Sequence, residues 1–330
     1  MIDKHNREIN YLRISITDRC NLRCVYCMPK EGLSIIGHDD ILKYEEMLRV
    51  ISVAVKLGIV KVRVTGGEPL VRRGIVDFLA SLKTIDGLKD ISLTTNGILL
   101  EAFAEELFDA GIRRLNISLD SLNPEKYASI TRGGNLNAVL NGIEKTHSIG
   151  FSPIKINVVV IKGSNEDEIL DFARLSMEKP FQVRFIELMP VGNTNIDNNG
   201  KYVSNDTVIE RIERFCFLDP VDGNRNKTDG PARIFKIKGA VGEIGFISPM
   251  SHHFCESCNR LRLTADGHLR ACLLWDEEVD LKGPLRAGCS DSDLQDLMKT
   301  AIAKKPIGHN ILCDETHIRK CVRNMHSIGG

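Results

Sequence analysis

The stretch that decides the fold is Thr17-Asp18-Arg19-Cys20-Asn21-Leu22-Arg23-Cys24-Val25-Tyr26-Cys27. Its three cysteines follow the spacing CxxxCxxC, and an apolar strand predicted over residues 12–18 leads directly into them. Three thiolates in one short loop suit three irons of a cubane cluster and leave the fourth iron without a protein ligand. That open iron is a place where chemistry can occur. A zinc knuckle or three unrelated buried thiols are the alternatives.

The aromatic Tyr26 directly before the last cysteine completes a resemblance to the signature of the radical S-adenosylmethionine (radical SAM) family. In that family the free iron chelates the amino and carboxylate groups of SAM, which implies that Tyr26 lies near the adenine. A second segment, Thr65-Gly66-Gly67-Glu68-Pro69, resembles the glycine motif that holds the methionine amino group. Its glycines let backbone N–H groups approach a ligand, and Glu68 offers a carboxylate to an ammonium group.

Composition argues against several classes of protein. The 330 residues include 44 basic and 44 acidic side chains, a balance that disfavours a polybasic nucleic-acid binder or a membrane-surface protein. Residues 1–7 are polar, and no apolar run approaches the roughly 18 residues of a transmembrane helix, so we expect neither a leader nor a membrane span. The ten cysteines lack the dense spacing of a disulfide-stapled secreted domain. We therefore expect a cytoplasmic protein that binds neither nucleic acid nor membrane.

Short β-branched runs alternate with amphipathic helical patterns over the first 190 residues. The spacing predicts strands at 12–18, 59–65, 90–95, 113–120, 153–161 and 182–189. It predicts helices at 40–57, 74–83, 99–110, 136–149 and 166–177, with a further helix at 206–215. Six such units imply an α/β fold, an incomplete (βα)6 barrel that lacks the last two repeats of the eightfold form. An incomplete barrel has a side opening.

One face of several predicted strands is polar at a period of two, where a packed barrel interior would be filled by Val, Ile and Leu. The inward polar positions are Arg13, Ser15, Thr17, Arg63, Thr65, Asn116, Ser118, Asp120, Lys155 and Asn157. Burying charge without a partner costs several kcal/mol, so a large polar ligand in the lumen is the economical explanation. Salt bridges among these groups are the alternative.

The composition changes over residues 219–231, which form a connector rich in Asp, Asn and Gly. We place the domain boundary there, with the radical SAM barrel at 1–220 and a smaller C-terminal iron–sulfur domain at 221–330. A β-like segment follows at 232–238. A hairpin over 261–272, turning at 265–267, returns the chain so that Cys272 lies beside Cys255 and Cys258.

These three later thiolates have no obvious fourth partner and could hold a second cluster with an open iron. Zinc is the rival, because His252, His253 or His268 could complete a Cys3His site, and spacing alone leaves the choice open. The remaining cysteines stand apart and are interpreted as structural or incidental thiols: Cys216, Cys289, Cys313 and Cys321.

The motifs taken together resemble the GTP 3′,8-cyclase family, also called molybdenum cofactor biosynthesis protein A. The matching segments are 13–27, 65–73, 93–97, 116–121, 186–193, the Cys255/Cys258/Cys272 trio and the terminal Gly329-Gly330. The resemblance implies two 4Fe–4S clusters. The first, held by Cys20, Cys24 and Cys27, would bind SAM, and the second, held by the later trio, would engage the guanine of GTP. It favours iron and sulfur over zinc at the second site.

The family's contacts carry over to matching positions, and none of them is an acid or base catalyst. Those implied for SAM are Tyr26, Gly67, Glu68, Ser118 and Met189. Those implied for GTP are Arg13, Arg63, Thr94, Lys155, Arg260, Leu261, Arg262, Gly329 and Gly330. A triphosphate is a ligand able to neutralise several inward cations through charge-assisted hydrogen bonds.

The resemblance also implies a reaction and its partners. A 5′-deoxyadenosyl radical formed from SAM would remove the ribose 3′ hydrogen of GTP, giving (8S)-3′,8-cyclo-7,8-dihydroguanosine 5′-triphosphate, in the first step of molybdenum cofactor biosynthesis. A low-potential donor such as flavodoxin or ferredoxin would supply electrons, and cyclic pyranopterin monophosphate synthase would act downstream. The sequence leaves a homodimer open. A radical SAM peptide-modifying enzyme and a two-cluster electron carrier are the alternative functions.

Overall fold

A computed structural model describes residues 1–32, 36–192, 200–221, 230–308, 321 and 323–329. Within these ranges, twelve strands form one sheet in the order β12-β11-β10-β1-β2-β3-β4-β5-β6-β9-β8-β7. The strands are β1 (Tyr11–Ser15), β2 (Lys61–Thr65), β3 (Asp90–Thr95), β4 (Arg114–Ser118), β5 (Ile154–Val160), β6 (Gln182–Glu187), β7 (Leu218–Pro220), β8 (Arg233–Ile237), β9 (Glu243–Ile247), β10 (Arg260–Leu263), β11 (His268–Arg270) and β12 (Glu278–Asp280).

The six predicted strands are all present, and β1 to β6 pair in parallel in chain order. The helices between them lie close to the predicted spans, although the first begins at Tyr44 after a 3₁₀ turn at His38–Asp40. The prediction of an incomplete α/β barrel is confirmed. The helices are α1 (Tyr44–Lys56), α2 (Ile75–Leu82), α3 (Leu100–Asp109), α4 (Pro124–Thr131), α5 (Leu136–Ile149), α6 (Ile169–Glu178), α7 (Asn205–Glu213), α8 (Lys282–Arg286), α9 (Asp291–Ala303) and α10 (Met325–Ile328).

The apolar residues of the parallel strands form the core beneath the helices. Leu12 and Ile14 of β1 and Val62 and Val64 of β2 are at most 1% exposed and belong to one continuous hydrophobic cluster. Burial of such a side chain stabilises the fold by about 1.5–3 kcal/mol. Because side chains alternate along a strand, this packing turns the polar residues at the intervening positions into the barrel.

The last third of the chain adds strands to both sides of the six-stranded core. Strand β10 pairs in parallel with β1, and β9 pairs in parallel with β6. The predicted hairpin is β10–β11, and Gly267 has the positive φ of 84° that its turn requires. The predicted division at 220/221 stays a prediction. Over the described ranges, none of the helices is both long and apolar enough to cross a bilayer.

Candidate active site

A cavity of about 280 Å³ lies inside the barrel, and all six cysteines of the two predicted trios open onto it. Its walls come from the inward faces of the parallel strands and from β10, whose Arg260 and Arg262 line it beside the second trio. Cys20 and Cys24 line it at the other trio, as does Tyr26. Both candidate metal sites therefore share one cavity.

The first cysteine loop is held in place by α4. The backbone N–H groups of Arg23 and Val25 donate to the carbonyl oxygens of Thr131 and Ile130 at 3.1 and 2.9 Å. Arg132, which ends α4 with a φ of 56°, donates from Nη1 to the carbonyl oxygen of Met28 at 2.9 Å. These contacts with α4 hold the loop backbone through main-chain groups, and the N–H of Leu22 also donates to Cys20 Sγ at 3.4 Å.

The thiols of this loop are half-buried, and burial raises the pKa of Cys20 to about 12. A hydrogen bond to Cys27, followed by burial, raises the pKa of Cys24 well above its ordinary value. Both groups hold their protons strongly until a metal displaces them, because a coordinated cysteine is a thiolate.

The Gly-Gly-Glu segment packs directly against the first cysteine loop. The N–H of Gly67 donates to the carbonyl oxygen of Thr17 at 2.7 Å. A Cβ on Gly67 would lie 2.3 Å from the carbonyl oxygen of Arg19, so no other residue fits there. Glu68 is fully buried, and its carboxylate accepts hydrogen bonds from Thr95 Oγ1 at 2.8 Å and the N–H of Asn96 at 2.7 Å. Its contact with an ammonium group stays a prediction.

Tyr26 is positioned by a carboxylate from the end of β4. Its Oη donates to Asp120 Oδ2 at 2.5 Å, and Asp120 Oδ1 accepts from the N–H of Val159 at 2.8 Å. Burial raises the pKa of Asp120 to about 6, against the effect of these two hydrogen bonds. Nearby on the same wall, Asn157 Oδ1 is buried without a hydrogen-bond partner within the described residues. An unsatisfied buried acceptor of this kind indicates a polar ligand.

Three arginines form one row across adjacent strands. Arg262 of β10 is in register with Arg13 of β1, which is in register with Arg63 of β2. All three line the cavity, and Arg13 and Arg262 are only 8% and 7% exposed. Like charges at facing positions of a sheet destabilise it. Burial and then the charges of Arg262 and Arg63 lower the pKa of Arg13 well below its usual range.

Deeper in the barrel, one carboxylate is shared by two cations. Asp90 Oδ2 lies 2.9 Å from Lys61 Nζ and 2.8 Å from Arg114 Nη1. These two ion pairs agree in part with the alternative stated above, in which salt bridges among the inward groups neutralise their charges. Among the residues that the structure describes, however, Arg63, Arg184 and Arg262 form no ion pair, and neither does Lys155.

The unneutralised cations repel one another. Burial, and then the charge of Arg184, lowers the pKa of Lys155 to about 6. Burial, and then the charge of Arg63, lowers the pKa of Arg184 to about 9. Five arginines line the cavity, although the whole chain is electrically balanced: Arg13, Arg63, Arg184, Arg260 and Arg262.

One thiol of the second trio, Cys258, differs from the thiols of the first trio in the direction of its pKa shift. Burial opposes ionisation of Cys258, but the charges of Arg260 and Lys305 outweigh it and lower the pKa of that thiol to about 6. The guanidinium of Arg260 lies over the ring of Phe254, 5.0 Å from its centroid. A thiolate is the form that binds a metal.

The histidines of the zinc alternative are engaged elsewhere. His252 Nε2 lies 2.9 Å from Asp206, and His268 Nδ1 lies 3.3 Å from Asp266. Among the described residues, no three His, Cys, Asp or Glu side chains are grouped so as to hold one metal ion. Zinc needs several ligands at 2.0–2.3 Å from a single centre, whereas each thiolate of a cubane binds its own iron. The two soft thiolate trios and the space between them therefore fit iron–sulfur clusters better than zinc.

The chain's last described residue reaches the same cavity wall. The carbonyl oxygen of Gly329 accepts a hydrogen bond from Arg262 Nη1. A Cβ on Gly329 would lie 2.6 Å from Thr65 Cγ2, and its φ is 75°. Arg323 ties this tail to the turn of the hairpin by a contact of 2.9 Å with Asp266 and to β12 by a contact of 2.7 Å with Glu278. Gly330 lies outside the described residues.

The structure brings most of the predicted site residues to one cavity. In addition to the cysteines, the residues on its wall are Arg13, Tyr26, Arg63, Gly67, Thr94, Ser118, Met189, Arg260 and Arg262. Glu68, Lys155 and Gly329 adjoin this wall without lining it, and the side chain of Leu261 lies in the hydrophobic core. The roles of all these residues stay predictions.

Sequence reasoning missed Arg184 and Lys305. Arg184 is an inward polar position of β6, between Val183 and Phe185, so the alternation that identified Arg63 could have found it. Lys305 follows α9 in a stretch with no recognisable motif, and no sequence signal marks it.

Two family models cover most of the chain. The radical SAM superfamily model matches residues 14–176, and the model for Molybdenum Cofactor Synthesis C matches residues 181–311. The chain is 50% identical to the GTP 3′,8-cyclase of Moorella thermoacetica and 49% identical to that of Thermodesulfovibrio yellowstonii. Both alignments cover 100% of each chain.

Among solved structures, the chain resembles Streptococcus suis SuiB bound to S-adenosylmethionine, with a TM-score of 0.60 and 14% identity. The alignment covers 97% of this chain and 78% of that one. A second SuiB structure aligns with a TM-score of 0.59 over 98% of this chain and 78% of that one, at 14% identity. These likenesses support the radical SAM barrel fold.

Proposed function

The chain belongs to the GTP 3′,8-cyclase family of radical SAM enzymes, and we propose that it binds GTP in the central cavity and cyclises it to (8S)-3′,8-cyclo-7,8-dihydroguanosine 5′-triphosphate. The observation that carries this proposal is the in-register row of Arg262, Arg13 and Arg63. Arg63 and Arg262 form no ion pair within the described residues, and a nucleoside triphosphate is a polyanion that can neutralise them.

The chain's own residues bind and orient the two small molecules. Arg13, Arg63 and Arg262 receive the anionic part of GTP, and Thr94, whose buried Oγ1 has no hydrogen-bond partner within the described residues, offers a hydroxyl group to it. Strand placement holds these groups rigidly, so the ribose is presented in one orientation. Arg184 adds a further cation to this wall.

Cys20, Cys24 and Cys27 would hold a 4Fe–4S cluster that binds SAM, and Cys255, Cys258 and Cys272 would hold a second one. When bound, the first cluster and SAM supply one-electron chemistry that generates the radical abstracting the ribose 3′ hydrogen. Gly67 and Tyr26 orient SAM on the wall of the first site.

The partners follow from this chemistry. An external low-potential protein such as flavodoxin or ferredoxin supplies electrons. The product passes to cyclic pyranopterin monophosphate synthase. The thiolates must remain reduced to bind iron, so we propose that the protein works in the cytoplasm.

The experiment compares Cys24→Ser with Cys258→Ser after anaerobic reconstitution, with chromatography of 5′-deoxyadenosine and nucleotide products. Serine replaces a soft thiolate poorly. Cys24→Ser should form no 5′-deoxyadenosine. Cys258→Ser should retain some SAM cleavage under strong reductant but form no cyclised nucleotide, because the ribose is no longer held near the radical.

Cys216→Ser is the matched control, since Cys216 is half-buried but lies outside the cavity wall. It should keep both activities. Normal cyclisation of GTP by Cys258→Ser would show that the second trio does not place the substrate. Absence of any cyclised GTP from the parent protein, with both sites loaded, would reject the proposed function itself.

A further inference from the structure

We propose that Lys305 is a positioning residue for the second iron–sulfur site, where it joins the two cysteine-bearing segments and places a positive charge beside Cys258. The proposal rests on the proposed function, in which Cys255, Cys258 and Cys272 hold a cluster. Lys305 is 2% exposed and lies directly after α9, outside both cysteine motifs.

The ammonium group of Lys305 has three acceptors. Nζ donates to Cys258 Sγ at 3.4 Å, to the carbonyl oxygen of Arg260 at 2.8 Å and to that of Ala271 at 2.6 Å. An ammonium group carries three protons, so these three acceptors can use all of its donors. Arg260 follows the CxxC pair, and Ala271 precedes Cys272 directly. One side chain therefore bridges the two segments that supply the thiolates.

This geometry separates Lys305 from the substrate cations. Arg260 and Arg262 point into the cavity, whereas Lys305 does not line it and has no proton left for a phosphate oxygen. A buried charge must be compensated locally to be tolerated. The only anionic group among its three acceptors is the sulfur of Cys258 once that thiol is ionised.

Hydrogen bonds to its own backbone also hold Lys305 in place. Its N–H donates to the carbonyl oxygen of Ile302 at 3.0 Å, at the end of a helix whose inner face is buried. Arg7 donates from Nη2 to the carbonyl oxygen of Lys305 at 3.5 Å and from Nη1 to that of Cys255 at 2.8 Å. Arg7 is itself paired with Asp3 at 2.6 Å. Arg7 near the N-terminus and Lys305 after α9 are thus both hydrogen-bonded to the segments that carry the second trio.

Two consequences follow for a bound cluster. Without Lys305, the hairpin segment and the CxxC segment keep only the pairing of β10 with β11 and lose the side-chain bridge beside Cys258, so the three thiolates are less well placed before iron binds. A positive charge next to a ligand sulfur also favours the more negative, reduced form of a cluster, so its loss should lower the reduction potential.

The test uses the full chain with Cys20, Cys24 and Cys27 all changed to Ala, which leaves only the second trio. In this background Lys305→Met is compared with Lys304→Met, whose side chain is 50% exposed and lies 3.8 Å from Glu277. After anaerobic reconstitution, iron and sulfide per chain are measured, and the cluster is titrated electrochemically with detection by electron paramagnetic resonance.

We expect the background and Lys304→Met to hold about four irons per chain, and Lys305→Met to hold less than half of that amount. At a fixed potential, the ratio of oxidised to reduced cluster should rise about tenfold in Lys305→Met, equivalent to about 59 mV for a one-electron couple. Iron content and potential in Lys305→Met equal to those of Lys304→Met would overturn the proposal.

Lys305→Gln keeps two N–H donors and removes the charge, and it decides the question if Lys305→Met does not fold. It should retain more iron than Lys305→Met while showing the same fall in potential, a change that a purely structural role would not produce. An unchanged reduction potential in Lys305→Gln would overturn the proposal that the charge of Lys305 favours the reduced cluster. A background protein that binds no iron at all would instead contradict the assignment of a second cluster, and so test the proposed function separately.

Discussion

Lys155 is a half-buried lysine surrounded by other cations. At the scale of a single residue, it shows why an anion in the cavity would be stabilising. Burial and then Arg184, Arg114, Arg63 and Lys61 lower its pKa from 10.5 to about 6. The folded protein therefore binds fewer protons than the unfolded chain between pH 6 and 10.5. In that window the free energy of unfolding rises with pH.

Replacing this charge should stabilise the ligand-free protein. We expect Lys155→Met to raise the free energy of unfolding at pH 7 by on the order of 2 kcal/mol, with the gain fully present below pH 6 and lost toward pH 10.5. The same variant should bind GTP more weakly. Anaerobic urea denaturation at pH 6 and pH 9, with and without GTP, measures both effects. A variant less stable than the parent at pH 6 would contradict this account.

The arginines of β10 are expected to contact the triphosphate. Alanine at both Arg260 and Arg262 should weaken GTP binding by roughly 1.5–3 kcal/mol for each charged hydrogen bond lost, with SAM binding nearly unchanged. Equilibrium dialysis under anaerobic conditions measures both ligands. Arg174→Ala is the control, because its side chain is 65% exposed on α6. Unchanged GTP affinity in the double variant would show that these arginines do not contact the triphosphate.

At the scale of elements, the strands and loops that could be predicted from the sequence are those with a local pattern of residues. Strands β1 to β6 were found because Val, Ile and Leu alternate with polar residues, and the cysteine loops were found because ligand spacing is local. Helix α4 was missed, although Asn123 caps it and Pro124 begins it. The pairing of β10 with β1 was missed as well, since register between segments far apart in the chain leaves no local pattern.

Helix α4 gives a test of how the first trio is supported. Arg132→Gly keeps a residue suited to the φ of 56° and removes only the guanidinium that holds the carbonyl oxygens of Arg23 and Met28. We expect reconstituted iron to fall from about eight per chain toward about four, with SAM cleavage lost in proportion. Glu125→Ala, at an exposed position of the same helix, is the control. Full iron content in Arg132→Gly would show that the loop assembles without this support.

The tail gives a second test at this scale. Gly329→Val would place a side chain against Thr65 in a backbone conformation that β-branched residues avoid. We expect GTP cyclisation to fall at least tenfold while cluster content and the melting temperature stay near those of the parent. Ser327→Ala, which loses one hydrogen bond to Asn324, should remain active. Normal cyclisation by Gly329→Val would place the tail outside the reaction.

At the scale of the whole molecule, one sheet joins segments that the sequence assigned to two domains. A fragment of residues 1–220 would leave the outer edges of both β1 and β6 unpaired. Exposed edge strands promote aggregation. We expect this fragment to be insoluble or to lack a cooperative thermal transition, as measured by light scattering and circular dichroism. A soluble fragment that melts cooperatively would support an independent barrel domain.

Because β10 pairs with β1, the sheet cannot close around β1 until the ribosome has made β10. Asn259 donates from Nδ2 to Asn10 Oδ1 at 2.8 Å across a separation of 249 residues. At roughly 5–20 residues per second, the ribosome needs roughly 12–50 s to make those 249 residues. During that interval the outer edge of β1 has no partner, and the first cysteine loop that follows it has already been made. The outer edge of β1 and the first cysteine loop would therefore be accessible to a nascent-chain chaperone or an early iron donor long before the barrel wall closes.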